Sequence, residues 1–202
     1  MEHEVTEPAA PERDPLRCQN VALRITRDQL EVFSPMLQRG VTVQASVGCP
    51  LGELLCAQFG IPQEYVARRI TTIFLDNRPV DDLEHSLIHE GARVTLSAAM
   101  PGLVGATMRR SGYYAALRQG ITHAEEGGAV REGQGTVRLK LFNLLLPELA
   151  PVILARGILL ARDELDALLK ELDPTSRFGV ASSYFCRRDD CGGILVMVNI
   201  KQ

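Results

Sequence analysis

The sequence predicts an α+β protein, and three observations carry that expectation. Apolar residues alternate with polar ones, as in half-buried strands, at Val21, Leu23 and Ile25, at Val41, Val43, Ala45 and Val47, and at Val137, Leu139 and Leu141. Leu51, Leu54, Leu55 and Phe59 recur at helical spacing, as do Leu165, Leu168, Leu169 and Leu172 further on. The composition is 46% hydrophobic and 23% charged over 202 residues, that of a folded chain long enough to bury a large core.

Residues 1–17, with Glu2, Glu4, Glu7 and Glu12 among Pro8, Pro11 and Pro15, read as a solvated tail. This segment is acidic, the opposite of a basic and then apolar signal peptide. No apolar stretch reaches the roughly 18–20 residues of a membrane span. Five cysteines, an odd and scattered set, suggest free thiols in a reducing compartment, so a soluble, cytoplasmic protein is expected. A net charge of -3 provides no global field toward nucleic acid or anionic lipid.

Order begins near Val21 with a strand, and a second strand runs over Val41–Val47. Pro50 suits the first turn of the helix that follows, and Gly60 its end. Ile70–Leu75 reads as a buried strand, Asp76-Asn77-Arg78-Pro79 as a turn, and Val80 with Leu83 as the return. Leu87 and Ile88 form a short apolar step. Glu90-Gly91 then makes a turn, and Arg93–Ser97 is the last strand of this unit.

The segments Leu51-Gly-Glu-Leu-Leu55, Ile73-Phe-Leu-Asp-Asn-Arg-Pro-Val80 and Glu90-Gly-Ala-Arg-Val-Thr-Leu96 share their order and spacing with a known pattern. Over residues 41–105 the chain resembles the β-grasp (ubiquitin-like) fold, in particular its small sulfur-carrier branch. That branch includes the small subunit of molybdopterin synthase and the thiamine-pathway sulfur carrier. Such carriers end in a free Gly-Gly whose carboxylate is adenylated and converted to a thiocarboxylate. Here Pro101-Gly-Leu-Val-Gly105 falls near the place of that tail, but Val104 replaces a glycine and the chain continues. The resemblance implies a non-catalytic scaffold that binds a protein partner. Its alternative is a precursor cut after Gly105 or Gly128, which would need an adenylating enzyme.

The expected organisation is therefore a tail at 1–17, a β-grasp domain at 18–105, a helical extension at 106–121, a linker at 122–135 and a smaller C-terminal α+β unit at 136–202. The linker is rich in Gly and charge. In the C-terminal unit, Val137–Leu141 is a strand and Pro147 opens a helix through about Arg156. Asp163 caps a second helix that Asp173-Pro174 stops. Ser182–Cys186 and Ile194–Ile200 read as a hairpin around Gly192-Gly193. No internal repeat is apparent between the two units.

The most unusual stretch is Met108–Gly120, where Arg109, Arg110 and Arg118 accompany Tyr113 and Tyr114. Arg and Tyr are over-represented in binding hot spots and also stack on single-stranded nucleic acid. The expected contact surface is Pro101, Gly102, Gly105, Arg109, Arg110, Tyr113, Tyr114 and Arg118, with a protein as the favoured partner and nucleic acid the lesser alternative. No catalytic residue, metal or cofactor is expected. Cys49/Cys56 and Cys186/Cys191 lack the tight spacing of zinc knuckles, and His85 and His89 lack the His-Glu-x-x-His order. Cys186, Arg187, Asp189, Asp190 and Cys191 are the candidates for an enzymatic site in the C-terminal unit, and a polar turn is the simpler reading.

Overall fold

The computed structural model describes residues 20–98, 100–123, 131–172, 178–180 and 193–200. The elements run β1 (Asn20–Ile25), a 3-10 turn (Asp28–Phe33), α1 (Ser34–Arg39), β2 (Val41–Val47), α2 (Leu51–Glu53), a π-helical turn (Leu54–Gln58), α3 (Gln63–Arg68), β3 (Thr72–Leu75), β4 (Arg78–Pro79) and β5 (Arg93–Ser97). There follow α4 (Gly102–Met108), a second 3-10 stretch (Ala115–Ile121), β6 (Gly133–Phe142), α5 (Leu145–Arg156), β7 (Ile158–Leu160), α6 (Arg162–Glu171), β8 (Phe178–Val180) and β9 (Ile194–Ile200).

All the described strands belong to one mixed sheet of order β4-β3-β5-β6-β2-β7-β9-β1-β8. Two neighbouring pairs are parallel, β5 with β6 and β1 with β9, and the others are antiparallel. The mixed α/β class expected from the sequence is thus present. The partners of two strands differ from expectation. β1 does not join β2 and β3, but lies beside β9 with Val21 opposite Val196. The place between β5 and β2 is taken by β6, with Val94 opposite Leu139 and Val43 opposite Val137. The expected N-terminal domain and C-terminal unit therefore share one sheet. Part of the expected linker, from Gly133, is already strand, with Gly133 opposite Val47.

The alternation in the sequence decides which face packs. Val43, Val94, Leu96, Val137, Leu139, Leu141, Val196 and Val198 are fully buried on one face, together with Phe33, Leu37, Leu54, Leu145, Ile153 and Leu154 from the helical layer. These belong to a single continuous core running through both halves. α1 packs on β6, and α5 packs on β6 and β9. The alternate residues of β6, Arg138, Lys140 and Phe142, stay exposed or half-buried.

Local differences from expectation have local causes. The helix after Pro50 widens into a π turn over Leu54–Gln58, where the Phe59 and Ile61 N–H groups reach back to the carbonyls of Leu54 and Leu55. α5 starts at Leu145, so Pro147 sits inside the first turn, where a missing N–H costs nothing. α6 is preceded by Ala161, not capped by Asp163, and the Glu164 carboxylate accepts the Ala161 N–H at 3.0 Å. The β3–β4 turn has Asp76 at φ 50 and Asn77 at φ 67, the left-handed pair of a type I′ hairpin. The expected stop at Asp173-Pro174 and the first strand of the expected hairpin, Ser182–Cys186, lie outside the described residues.

Candidate functional site

Residues 100–123 contain no acidic side chain, and α4 with the second 3-10 stretch accounts for most of them. The segment is fastened beside β3 and β4. The Arg110 N–H donates to Thr71 O and the His123 N–H to Pro79 O, both at 2.8 Å. Its internal strut is Arg118, only 4% exposed. That guanidinium donates to Thr107 O at 2.7 Å, Thr122 Oγ1 at 2.9 Å and Asp81 Oδ1 at 2.7 Å. Such a bonded arginine positions the segment and has no surface to offer a partner.

The other expected contact residues divide in the same way. Pro101, Gly102, Arg109 and Tyr113 are exposed, and Tyr114 meets Tyr113 edge to face with centroids 5.1 Å apart. Gly105 is buried in α4, where an added Cβ would collide with the Met100 carbonyl. Close backbone packing, not the freedom of a tail, accounts for that glycine. Pro101–Gly105 is helical from Gly102 onward. Arg110 is half-buried with Nη1 lacking a hydrogen-bond partner among the described residues. Burial lowers its pKa, opposed by the nearby Asp81 carboxylate.

What the sequence reading did not single out are the apolar side chains interleaved with these residues. Leu103 and Val104 are 69% and 63% exposed, Leu117 is 74% exposed and Ile121 52%. Together with Tyr113 and Tyr114 they form a concentration of uncovered apolar surface, the kind that marks interaction sites on folded proteins. Leu117 lies exposed in the 3-10 stretch Ala115–Ile121, beside the buried Arg118.

Adjacent to this segment, an open pocket of about 270 Å3 lies between Phe74, Thr95, Phe142, Met100 and Pro101. Its floor includes Ser97, whose Oγ accepts a bond from Asn143 Nδ2 at 3.0 Å. Phe74 and Phe142 occupy outward, half-buried positions in β3 and β6, and in the alternating β6 an outward Phe142 is a detectable signal in the sequence. A wider cleft of about 620 Å3 runs between the first 3-10 turn and α5, lined by Arg27, Asp28, Glu31, Ser34 and Glu148.

At that cleft Glu148 accepts hydrogen bonds from the Tyr65 hydroxyl and the Arg69 guanidinium, joining α3 to α5. The Arg69 and Tyr65 bonds hold the Glu148 carboxyl below its ordinary value. Burial, and then the Glu148 carboxylate, push Tyr65 up to about 12. A tyrosine so strongly protonated is a poor general base at neutral pH. Cys49 donates to Ser46 O at 3.3 Å, and burial followed by Glu53 raises its pKa, which keeps it a thiol and a weak nucleophile. Cys56 packs partly buried against the core.

His85 and His89 are engaged by different carboxylates, Asp82 and Asp76, each at 2.7 Å. Among the described residues no group of three or more His, Cys, Asp or Glu is arranged to hold a metal ion, and no helix is long and apolar enough to cross a membrane. Gly128 and the candidates Cys186, Arg187, Asp189, Asp190 and Cys191 lie outside the described residues. In comparisons with known proteins, the chain matches no family model, no curated protein and no solved structure.

Proposed function

We propose that the chain is a non-catalytic protein-binding or accessory protein built on a sulfur-carrier-like β-grasp scaffold, with residues 101–121 as its contact surface. One observation carries this reading. Of the eight large hydrophobic side chains exposed among the described residues, six (Leu103, Val104, Tyr113, Tyr114, Leu117 and Ile121) lie on this one segment. The β-grasp part is supported by the half-sheet β4-β3-β5-β6-β2, with a parallel pair at its centre and the π-helical turn after α2 packed on β2. In this arrangement β6 supplies the strand that the sequence order assigns to β1.

The carrier alternative needs a freed glycine terminus. The burial of Gly105 against Met100 weighs against release at that position, and Val104 weighs against threading of the tail. The burial of Arg118 removes one of the three cations on which nucleic-acid binding would draw.

A photo-crosslinking residue placed at Tyr113 or Leu117 in native cells tests the reading, with exposed Glu64 as the control position. Adducts of one discrete mass at 113 and 117, and none at 64, are expected. Equal labelling at all three positions, or none at 113 and 117, overturns it. The intact mass of the purified protein tests the alternative. A fragment ending at Gly105 or Gly128, heavier than its free acid by the difference between sulfur and oxygen, would establish a processed carrier in place of a binding scaffold.

A further inference from the structure

The outward face of β3, β5 and β6 combines an apolar pocket with a row of cations. Along β6 the outward residues are Phe142, Lys140 and Arg138, and along β5 they are Ser97, Thr95 and Arg93. Phe142, Thr95 and Ser97 line the pocket of about 270 Å3. Lys140 lies opposite Thr95, and Arg138 opposite Arg93. The basic row therefore starts one outward position from the pocket and leads away from it at intervals of roughly 7 Å.

Two like charges placed side by side on adjacent strands oppose folding. Arg93 has partial relief from Asp76, at 3.8 Å, but Asp76 is also bonded to His89. Arg138 and Lys140 make no ion pair with the described residues. A second carboxylate, Glu90, accepts from the Thr136 N–H and hydroxyl at the far end of the row. Both long side chains drape past Gly40, where an added Cβ would meet Arg138 Nε and Lys140 Cγ at 3.0 Å. The two stems thus lie along the β2 side of β6, on the same outward face of the sheet as the pocket.

The geometry points to an acidic peptide segment of a partner protein as the occupant of this face: one large apolar side chain fills the Phe74–Phe142–Met100–Pro101 pocket, and carboxylates two to four residues along meet Lys140, Arg138 and Arg93. This inference rests on the protein-binding reading and names the class of partner. The pocket supplies a desolvated anchor, and the cations supply register and speed of encounter. Pro101 belongs to both the pocket and the exposed segment, so the two surfaces are continuous.

The test is fluorescence anisotropy of the full chain with a short labelled peptide carrying a central leucine flanked by glutamates. Peptides with glutamine for glutamate, or serine for leucine, are the controls. Binding to the glutamate–leucine peptide is expected to exceed both controls by on the order of tenfold and to weaken with added salt. The Lys140→Glu/Arg138→Glu pair is expected to lower affinity by at least that factor. Thr95→Trp, which fills the pocket from a half-exposed position, should do the same with the thermal midpoint unchanged.

Equal binding of the glutamine peptide, or affinity indifferent to both variants, overturns the inference. A single-stranded oligonucleotide that outcompetes the peptide at low salt also overturns it, in favour of nucleic acid. Crosslinking at 113 and 117 that persists when the acidic peptide does not bind would remove this partner class alone and leave the protein-binding reading standing.

Discussion

Two connections in this chain are built alike and placed differently. β1 leads through the 3-10 turn and α1 to β2, and β6 leads through α5 to β7. Both helices end in Arg-Gly followed by a β-branched residue, Arg39-Gly40-Val41 and Arg156-Gly157-Ile158. Both glycines adopt positive φ, 107 and 110, and both donate to the carbonyl four residues back, Met36 and Ile153. The equivalence is invisible to a plain search for repeats because it resides in the helix exit and in the strands, with a residue inserted between.

The difference lies in what surrounds each helix. α5 is one unbroken helix that buries Leu145, Leu146, Leu149, Ala150, Ile153 and Leu154. The first connection breaks into a 3-10 turn and a short helix, and buries only Phe33 and Leu37 there. α5 lies over β6 and β9 and buries six of its twelve residues against them and the core around them. Its sequence is correspondingly apolar all round, while the first connection keeps Arg27, Asp28 and Glu31 for solvent. The same connecting device thus serves as a core element in one half and as a cover in the other.

The comparison breaks most completely if the two halves are separated. Because β6 fills the place between β5 and β2, chains ending at 123 and beginning at 131 should each fail to give a cooperative thermal transition. An equimolar mixture should recover one, followed by circular dichroism. An independent transition in either piece would show that the shared sheet is dispensable.

Next in size is the paired truncation of Ile153 and Met36, the residues at equivalent positions before the two glycines. Ile153 is fully buried and Met36 only half so, and Ile153→Ala is expected to cost about 3–4 kcal/mol against about 1 kcal/mol for Met36→Ala in denaturant unfolding. Similar losses would mean that α1 carries as much of the core as α5.

The two glycines sharpen the comparison further. Each to Ala meets backbone strain of about 1–2 kcal/mol at positive φ. Gly157→Ala should cost about 1 kcal/mol more, because its Cβ would lie 2.8 Å from Leu195 Cδ1, whereas at Gly40 the solvent-facing stems of Arg138 and Lys140 give way.

The smallest effect is electrostatic. Glu148, with its depressed pKa, adds stability that is present above the ordinary carboxylate range and is lost as pH falls through its folded value. Tyr65, raised to about 12, adds stability that is full below its unfolded pKa and is lost as pH rises from there through its folded value. Glu148→Gln should flatten the acid limb of the stability profile and bring the Tyr65 absorbance titration downward. No change in either readout would mean that the link between α3 and α5 is without energetic weight.

The elements themselves were legible because burial imposes a period on each of them. Val43, Val137 and Leu139 alternate in the sequence and are buried together. Strand partners were not legible: nothing in Val21–Ile25 tells whether its neighbour is β2 or β9, since both offer a similar apolar edge. The site was half legible. Tyr113 and Arg109 are exposed as their chemistry suggests, but Arg118 reads as a surface cation and becomes a buried strut because Asp81, far away in sequence, accepts it. Phe142 is readable as a break in the polar phase of β6, whereas Phe74 lies in a short strand, Thr72–Leu75, that has no polar phase to break.

The seating of β6 also has a consequence for the chain as it leaves the ribosome. When β2 and β5 have emerged, neither can close its inner edge, because the strand that pairs with both has not been made. β1, made before either, waits longer still, since its parallel partner β9 follows β6 in the chain. The nascent protein thus carries open, apolar strand edges until β6 and β9 have followed, a condition that invites pairing with other chains and sheltering by chaperones.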